Sequence, residues 1–113
     1  MQDTFSLDQS FFTGKAALEW LQQESNCLII LKFVAPYCPS CKTLEPVLKQ
    51  IATDNAGKLH IVELDMTEEP ELAIEHGVRS APTVVLLKQQ QILTQLAGLQ
   101  PKKQYTEKIL SAL

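Results

Sequence analysis

Hydrophobic positions along the chain switch between two periods. Ala17, Trp20 and Leu21 fall on one side of a helical repeat that Thr13 is placed to cap and Ser25-Asn26 to end. Cys27 to Val34 is nearly all apolar, the pattern of a central strand buried on both faces, and only Lys32 breaks it. A second helix is predicted from near Pro39. Leu44, Val47, Leu48 and Ile51 share its apolar side, and Lys42, Glu45 and Lys49 its wet side. Pro46 interrupts that pattern by removing one backbone donor, which predicts a kink. Gly57 leads into a strand over Leu59–Asp65, followed by a short acidic helix from about Glu68 to His76 that Gly77 ends. After the loop Arg79-Ser80-Ala81-Pro82, Thr83–Lys88 and Ile92–Ala97 read as two strands of a hairpin, with Gly98 at the exit. Pro101 opens a last helix with Tyr105, Ile109, Ala112 and Leu113 on one face. In the first dozen residues Phe5 and Leu7 alternate as in a short strand, so 1–12 is expected to be a strand or linker ahead of a domain over 13–113. The order β-α-β-α-β-α-β-β-α predicts an α/β fold: a central mixed β-sheet flanked by helices on both faces.

Composition narrows the classes without changing that picture. At 113 residues and 12.6 kDa, 45% hydrophobic and 20% charged, the chain has the make-up of one folded domain. Ten Lys and Arg against thirteen Asp and Glu give −3, which argues against a nucleic-acid surface. The longest unbroken apolar run, Cys27–Leu31, is far too short to span a membrane. The first basic residue is Lys15 and no apolar stretch precedes it, so a secretory leader is not expected. Three cysteines are too few for a disulfide-stapled scaffold. The expectation is a cytoplasmic, monomeric domain that holds no metal or cofactor and binds neither nucleic acid nor membrane.

The chemistry concentrates in Cys38-Pro39-Ser40-Cys41, placed where the buried strand turns into the second helix. Cys38 falls at the cap position, where free backbone N–H groups and the helix dipole favour a thiolate of pKa about 6–7.5. Cys41 lies one turn deeper, where burial keeps its thiol above about 8. An exposed attacking sulfur and a shielded resolving one are what thiol–disulfide exchange requires. Half a zinc site is the competing reading, but Cys27, His60 and His76 form no second ligand pair. A purely structural thiol pair is the other. Cys27 and Trp20 read as packing residues, His60 as a strand residue, His76 as a helix C-terminal cation, and Glu68, Glu69, Glu71 and Glu75 as a solvated face. Pro82 precedes a buried strand, where an ordinary trans peptide is the usual outcome.

Taken together, Leu31–Lys42, Pro46, the run Gly77–Thr83, and Gly98 sixteen residues after Pro82 resemble a thioredoxin over about 13–113. The resemblance implies the thioredoxin fold and protein-disulfide reduction, with Cys38 as nucleophile and Cys41 as resolving thiol. It further implies a cis peptide before Pro82 and a substrate-contact patch framed by Tyr37, Pro39, Ala81, Pro82 and Gly98. Implied partners are protein disulfides, with a thioredoxin reductase or another donor supplying electrons. The chain departs from the family in lacking a proline just before the second cysteine, and in carrying Val34 where a tryptophan is usual. It also carries Lys32, six residues before Cys38, where the family has a buried acid.

Strand parity places Lys32 beneath the active-site helix near Cys41, and the family pattern places Glu63 opposite it. A charge-exchanged pair that tunes the cysteines is therefore expected, and removing Glu63 alone should cost about 3–5 kcal/mol. The competing expectation is that Lys32 snorkels to water. A narrower resemblance, to the C-terminal thioredoxin domain of the two-domain NADPH-thioredoxin reductases of cyanobacteria and plastids, rests on four short stretches. They are Thr4-Phe5-Ser6-Leu7, Gly14–Leu18, Glu24-Ser25 and Ala35-Pro36. It implies a flavin partner as donor and targets such as peroxiredoxins. The alternative function is a non-catalytic docking module, or a domain of a larger reductase.

Overall fold

In a computed structural model, which describes residues 5–113, the apolar run forms the middle of a five-stranded sheet. The elements are β1 (Phe11–Thr13), α1 (Lys15–Glu24), β2 (Leu28–Val34), α2 (Pro39–Asp54), β3 (Leu59–Asp65), α3 (Pro70–Glu75), β4 (Thr83–Lys88), β5 (Gln91–Ala97) and α4 (Lys102–Ala112). The strand order is β1-β3-β2-β4-β5. The β1–β3 and β3–β2 pairs are parallel, and the β2–β4 and β4–β5 pairs antiparallel.

Because side chains alternate across a strand, β2 and β3 feed two separate cores. Ile29, Leu31, Phe33, Val62 and Leu64 pack with Ala17, Leu18 and Leu21 of α1 and with Leu72 and Ala73 of α3. Leu28, Ile30, Leu59 and Ile61 pack on the other side with Leu44, Leu48 and Ile51 of α2 and Tyr105 and Ile109 of α4. The continuous apolar run of β2 thus reflects burial on both faces. Trp20 is only partly buried, lying against the first of these cores beside Phe5 and Phe12. The second helix runs through the exposed Pro46 as one element.

Three expectations about the N-terminal region change. The first strand is Phe11–Thr13 rather than a segment around Phe5 and Leu7, and the start of the expected 1–12 segment lies outside the described residues. Ser6 instead closes a turn, accepting from Gln9 N at 3.1 Å on its carbonyl and from Asp8 N at 3.2 Å on its hydroxyl. The expected boundary between residues 12 and 13 falls inside β1, whose Phe12 is a core residue. Thr13 does not cap α1. It is held in the strand opposite Glu63, and Gly14 takes the cap position with φ 95°, a left-handed turn that favours glycine. The acidic helix is shorter than expected, beginning at Pro70, because Asp65 accepts from Thr67 N and Oγ1 at 2.8 and 2.6 Å and folds the preceding residues into a turn.

Elsewhere the hairpin turns through Gln89 and Gln90, both left-handed at φ 51° and 67°. That pair of angles is the two-residue turn whose twist matches antiparallel strands. A bulge follows, with Leu86 opposite Thr94 and Leu87 opposite Ile92, so β5 carries one extra residue. Among the described residues, no helix is long and apolar enough to cross a membrane.

Candidate active site

β2 ends at Val34, and the chain needs only four residues to reach the start of α2. Pro39 occupies the first turn, where a missing N–H costs nothing, and Cys38 is the residue at the cap. Its sulfur accepts from Cys41 N at 3.1 Å, doing for this helix what a serine or aspartate oxygen does elsewhere. Cys38 and Cys41 are joined as a disulfide, with Cα atoms 5.3 Å apart. Cys38 is partly exposed, whereas Cys41 is 6% exposed. The sulfur at the helix end is therefore the accessible one.

A cleft of about 240 Å³ lies beside the pair. Cys38 and Cys41 line it together with Lys32, Tyr37, Lys42, Glu45 and Glu63 and the apolar Val34, Ala35 and Pro36. Tyr37 is fully exposed and left-handed at φ 57°. Pro39 is exposed on the opposite side of Cys38 in the chain. The remaining three predicted residues are outside this cleft, at the same end of the sheet. Phe33 of β2 pairs with Thr83, so the residues just before β4 stand level with the end of β2. The Ala81–Pro82 peptide is cis, and Pro82 O accepts from Gly98 N at 2.8 Å, which ties the two loops together. The Gly98 position needs its glycine, with φ 74°.

Lys32 lies 4% exposed on the α2 face of β2, in direct register with Glu63 of β3 and Val84 of β4. Its Nζ is 3.4 Å from Glu63 Oε1, and its side chain is 6% exposed against 44% for that of Glu63. The lysine does not snorkel. The pair is one-sided, a sunken cation with a carboxylate that reaches water.

One contributor was read from the sequence only as a core residue. Tyr105 of α4 is completely buried, yet its hydroxyl donates to Gly98 O at 3.2 Å and accepts from Gln100 N at 3.0 Å. It pins the Gly98 loop from beneath. Its signal in the sequence, an aromatic with a polar tip on an apolar helix face, does not say where the tip points. His60 and His76 are engaged by backbone carbonyls, their Nδ1 atoms 3.0 Å from Gln9 O and 2.8 Å from Leu72 O. Cys27 is a free thiol 3.7 Å from Gly57 O. Among the described residues, no group of three His, Cys, Asp or Glu is arranged to hold a metal ion.

Comparison with known proteins agrees with this geometry. The thioredoxin family model matches residues 11–111. A thioredoxin of Haemophilus influenzae is 37% identical over 89 residues, covering 79% of this chain and 83% of that protein. The NADPH-dependent thioredoxin reductase 3 of Arabidopsis thaliana is 31% identical over 107 residues, which is 95% of this chain but 20% of the reductase. The chain thus spans a fifth of that relative's length. Among solved structures, a Nicotiana alata thioredoxin superposes with a TM-score of 0.81 at 27% identity, over 97% of this chain and 98% of that one. A Halobacterium salinarum thioredoxin mutant gives 0.79 at 28% identity, over 97% and 96%. The chain belongs to the thioredoxin family.

Proposed function

We propose that this thiol–disulfide oxidoreductase of the thioredoxin family works as a reductant of disulfides in other proteins, with Cys38 as nucleophile and Cys41 as resolving thiol. The observation that carries the reading is the asymmetry of the pair: one sulfur open at a helix N-terminus, the other buried one turn inside. In the reduced protein the Cys38 thiolate attacks a substrate disulfide, forms a mixed disulfide and expels one substrate thiol. Cys41 then loses its proton and attacks Cys38 Sγ, which closes the Cys38–Cys41 bridge and expels the second thiol. A donor of two electrons must reopen the bridge. Tyr37 and Pro39 on one side, and Ala81, Pro82 and Gly98 on the other, frame the surface on which an extended substrate segment would lie.

The match to a reductase over a fifth of its length supports a thioredoxin reductase as the donor, on the same polypeptide or a separate one. Peroxiredoxins are suitable targets, because their catalytic disulfides are exposed protein disulfides. A dithiol that must be reduced after each cycle fits the cytoplasm, a reducing compartment. Both cysteines and both loops belong to one chain, so a monomer suffices.

The test is reduction of insulin disulfides by wild type and by Cys38→Ser, with a chemical dithiol as donor. Activity in wild type and none in the variant is expected. Equal activity in both, or none in either, would overturn the reading in favour of a docking module. One equivalent of iodoacetamide near neutral pH should also label Cys38 ahead of Cys41 and Cys27.

A further inference from the structure

The chain that leaves β2 for α2 presents four uncharged residues in a row before the reactive sulfur. Val34 and Ala35 are half-buried, Pro36 is exposed and Tyr37 fully so, and all four line the cleft of about 240 Å³ that also reaches Cys38. The two carboxylates in its lining are already met by lysines, Glu63 by Lys32 at 3.4 Å and Glu45 by Lys49 at 3.3 Å. An apolar hollow with a few placed polar groups is the usual make-up of a binding pocket. An enclosed apolar cavity of about 150 Å³ takes a benzene molecule, so this cleft has room for a phenyl ring. Tyr37 is left-handed at φ 57°, a conformation that an aromatic residue keeps only where its surroundings enforce it. Its ring offers a face or an edge to an aromatic guest.

Position identifies the guest. The cleft is continuous with Cys38, to which the substrate half-cystine is bonded in the mixed disulfide, so the segment nearest to it is the substrate itself. The cleft draws on Glu63 of β3, whereas Ala81, Pro82 and Gly98 adjoin β4 and β5, on the other side of β2 in the sheet. It is a second flank of the same sulfur. Val34 keeps it open. It lies two residues past Lys32 on the same face of β2, at a position where thioredoxins usually carry a tryptophan. A side chain of that size would fill the space that the valine leaves.

We propose that this cleft is a side-chain pocket for the residue next to the attacked half-cystine, that it selects a large apolar side chain, phenylalanine above all, and that Val34 sets its size. This rests on the dithiol reading above and names the class of disulfide that the site favours, one flanked by aromatic or large aliphatic residues. The guest leaves water as the substrate sulfur reaches Cys38, so its burial speeds the first attack.

The experiment measures single-turnover reduction of two symmetric, disulfide-linked peptide dimers by an excess of the reduced protein, in a Cys27→Ser background. The peptides differ only in the residues on either side of the cysteine, phenylalanine in one and alanine in the other. Each turnover closes the Cys38–Cys41 bridge and releases both peptides as thiols. The parent protein should reduce the phenylalanine peptide about tenfold faster, the lower end of what burying such a side chain gives. Val34→Trp should bring that ratio down to about twofold or less. A ratio near one in the parent would overturn the inference. So would a ratio that Val34→Trp leaves unchanged, because the preference then belongs to the loops on the other side of Cys38. Should Val34→Trp fail to fold, Val34→Leu decides: a ratio lowered about threefold supports the pocket, and an unchanged one refutes it. Cys38→Ser in the same assay separates the two levels. Reduction that is as fast without Cys38 would refute the dithiol reading, whereas Cys38-dependent reduction with a ratio near one refutes only the pocket.

Discussion

The two faces of β2 and β3 are built from the same strands and end differently. On the α1 and α3 side, the row runs apolar to the active-site end, finishing at Phe33 and Leu64. On the α2 and α4 side, it is apolar for two residues of each strand and then becomes Lys32 and Glu63. The first face has its own buried polar group, His60, but at the opposite end of β3, where its ring bonds a backbone carbonyl and packs edge-on against Phe12. A buried polar group satisfied by backbone, far from the cysteines, is scaffolding. The other meets an opposite charge in a cleft that the two active-site sulfurs also line. Among the described residues no buried side-chain nitrogen or oxygen lacks a hydrogen-bond partner, so neither group is a packing error.

Substitutions on each face test that division. The largest effect is expected from Phe33→Ala on the apolar face, about 3–5 kcal/mol of stability by urea unfolding. Its Cys38 labelling rate should stay near wild type wherever the variant is folded, and slowed labelling in the folded protein would show that the faces are not separable. On the other face, Glu63→Leu should cost about 1–3 kcal/mol rather than the 3–5 expected for a fully buried pair, because water reaches Glu63 and the cleft. The double change Lys32→Leu with Glu63→Leu should cost clearly less than Glu63→Leu alone, and additive losses would mean that the charges do not couple. Tyr105→Phe leaves a carbonyl and an N–H of the Gly98 loop without their partner and should cost about 1–2 kcal/mol. It should also raise KM for a protein disulfide more than it lowers kcat, and an unchanged KM would mean that the Gly98 loop keeps its place without the Tyr105 hydroxyl.

Asp65 supplies the smallest effect, and one that tests neither face. Hydrogen bonds from the Thr67 side chain, then from its backbone, hold the Asp65 carboxyl below 3.8. A folded-state value below the unfolded one adds stability above the ordinary carboxylate range, and that stability disappears as pH falls through the folded value. Thr67→Val should therefore be slightly less stable than wild type near neutral pH, with the difference vanishing in strong acid. A difference that persists in strong acid would point to packing instead.

Most of this was legible where one segment carries its own signal. The apolar run of β2, the helical spacing of Leu44, Leu48 and Ile51, and the two cysteines at a helix start are local patterns, and the structure keeps them. The losses came where a partner strand decides. Phe11–Thr13 is too short to display alternation and becomes a strand by pairing with Ile61–Glu63, which also takes Thr13 from its expected capping role. Glu45 read as a wet helix position, and it is exposed. That it also borders the cleft behind Cys41 depends on how α2 lies across β3, which no spacing within the helix reveals. The exposure of Glu63 escaped for the same reason, since parity assigns a face but not the depth of the cleft beside it.

The cross-link itself joins residues only three positions apart. A bridge restrains an unfolded chain according to the length of loop it closes, and this one closes almost the shortest loop a disulfide admits. Opening it therefore frees little of the chain, and both redox states draw on the same cores for their stability. The bridge serves as a reservoir for two electrons rather than as a staple. It can be charged and discharged with only a small change in how tightly the unfolded chain is restrained.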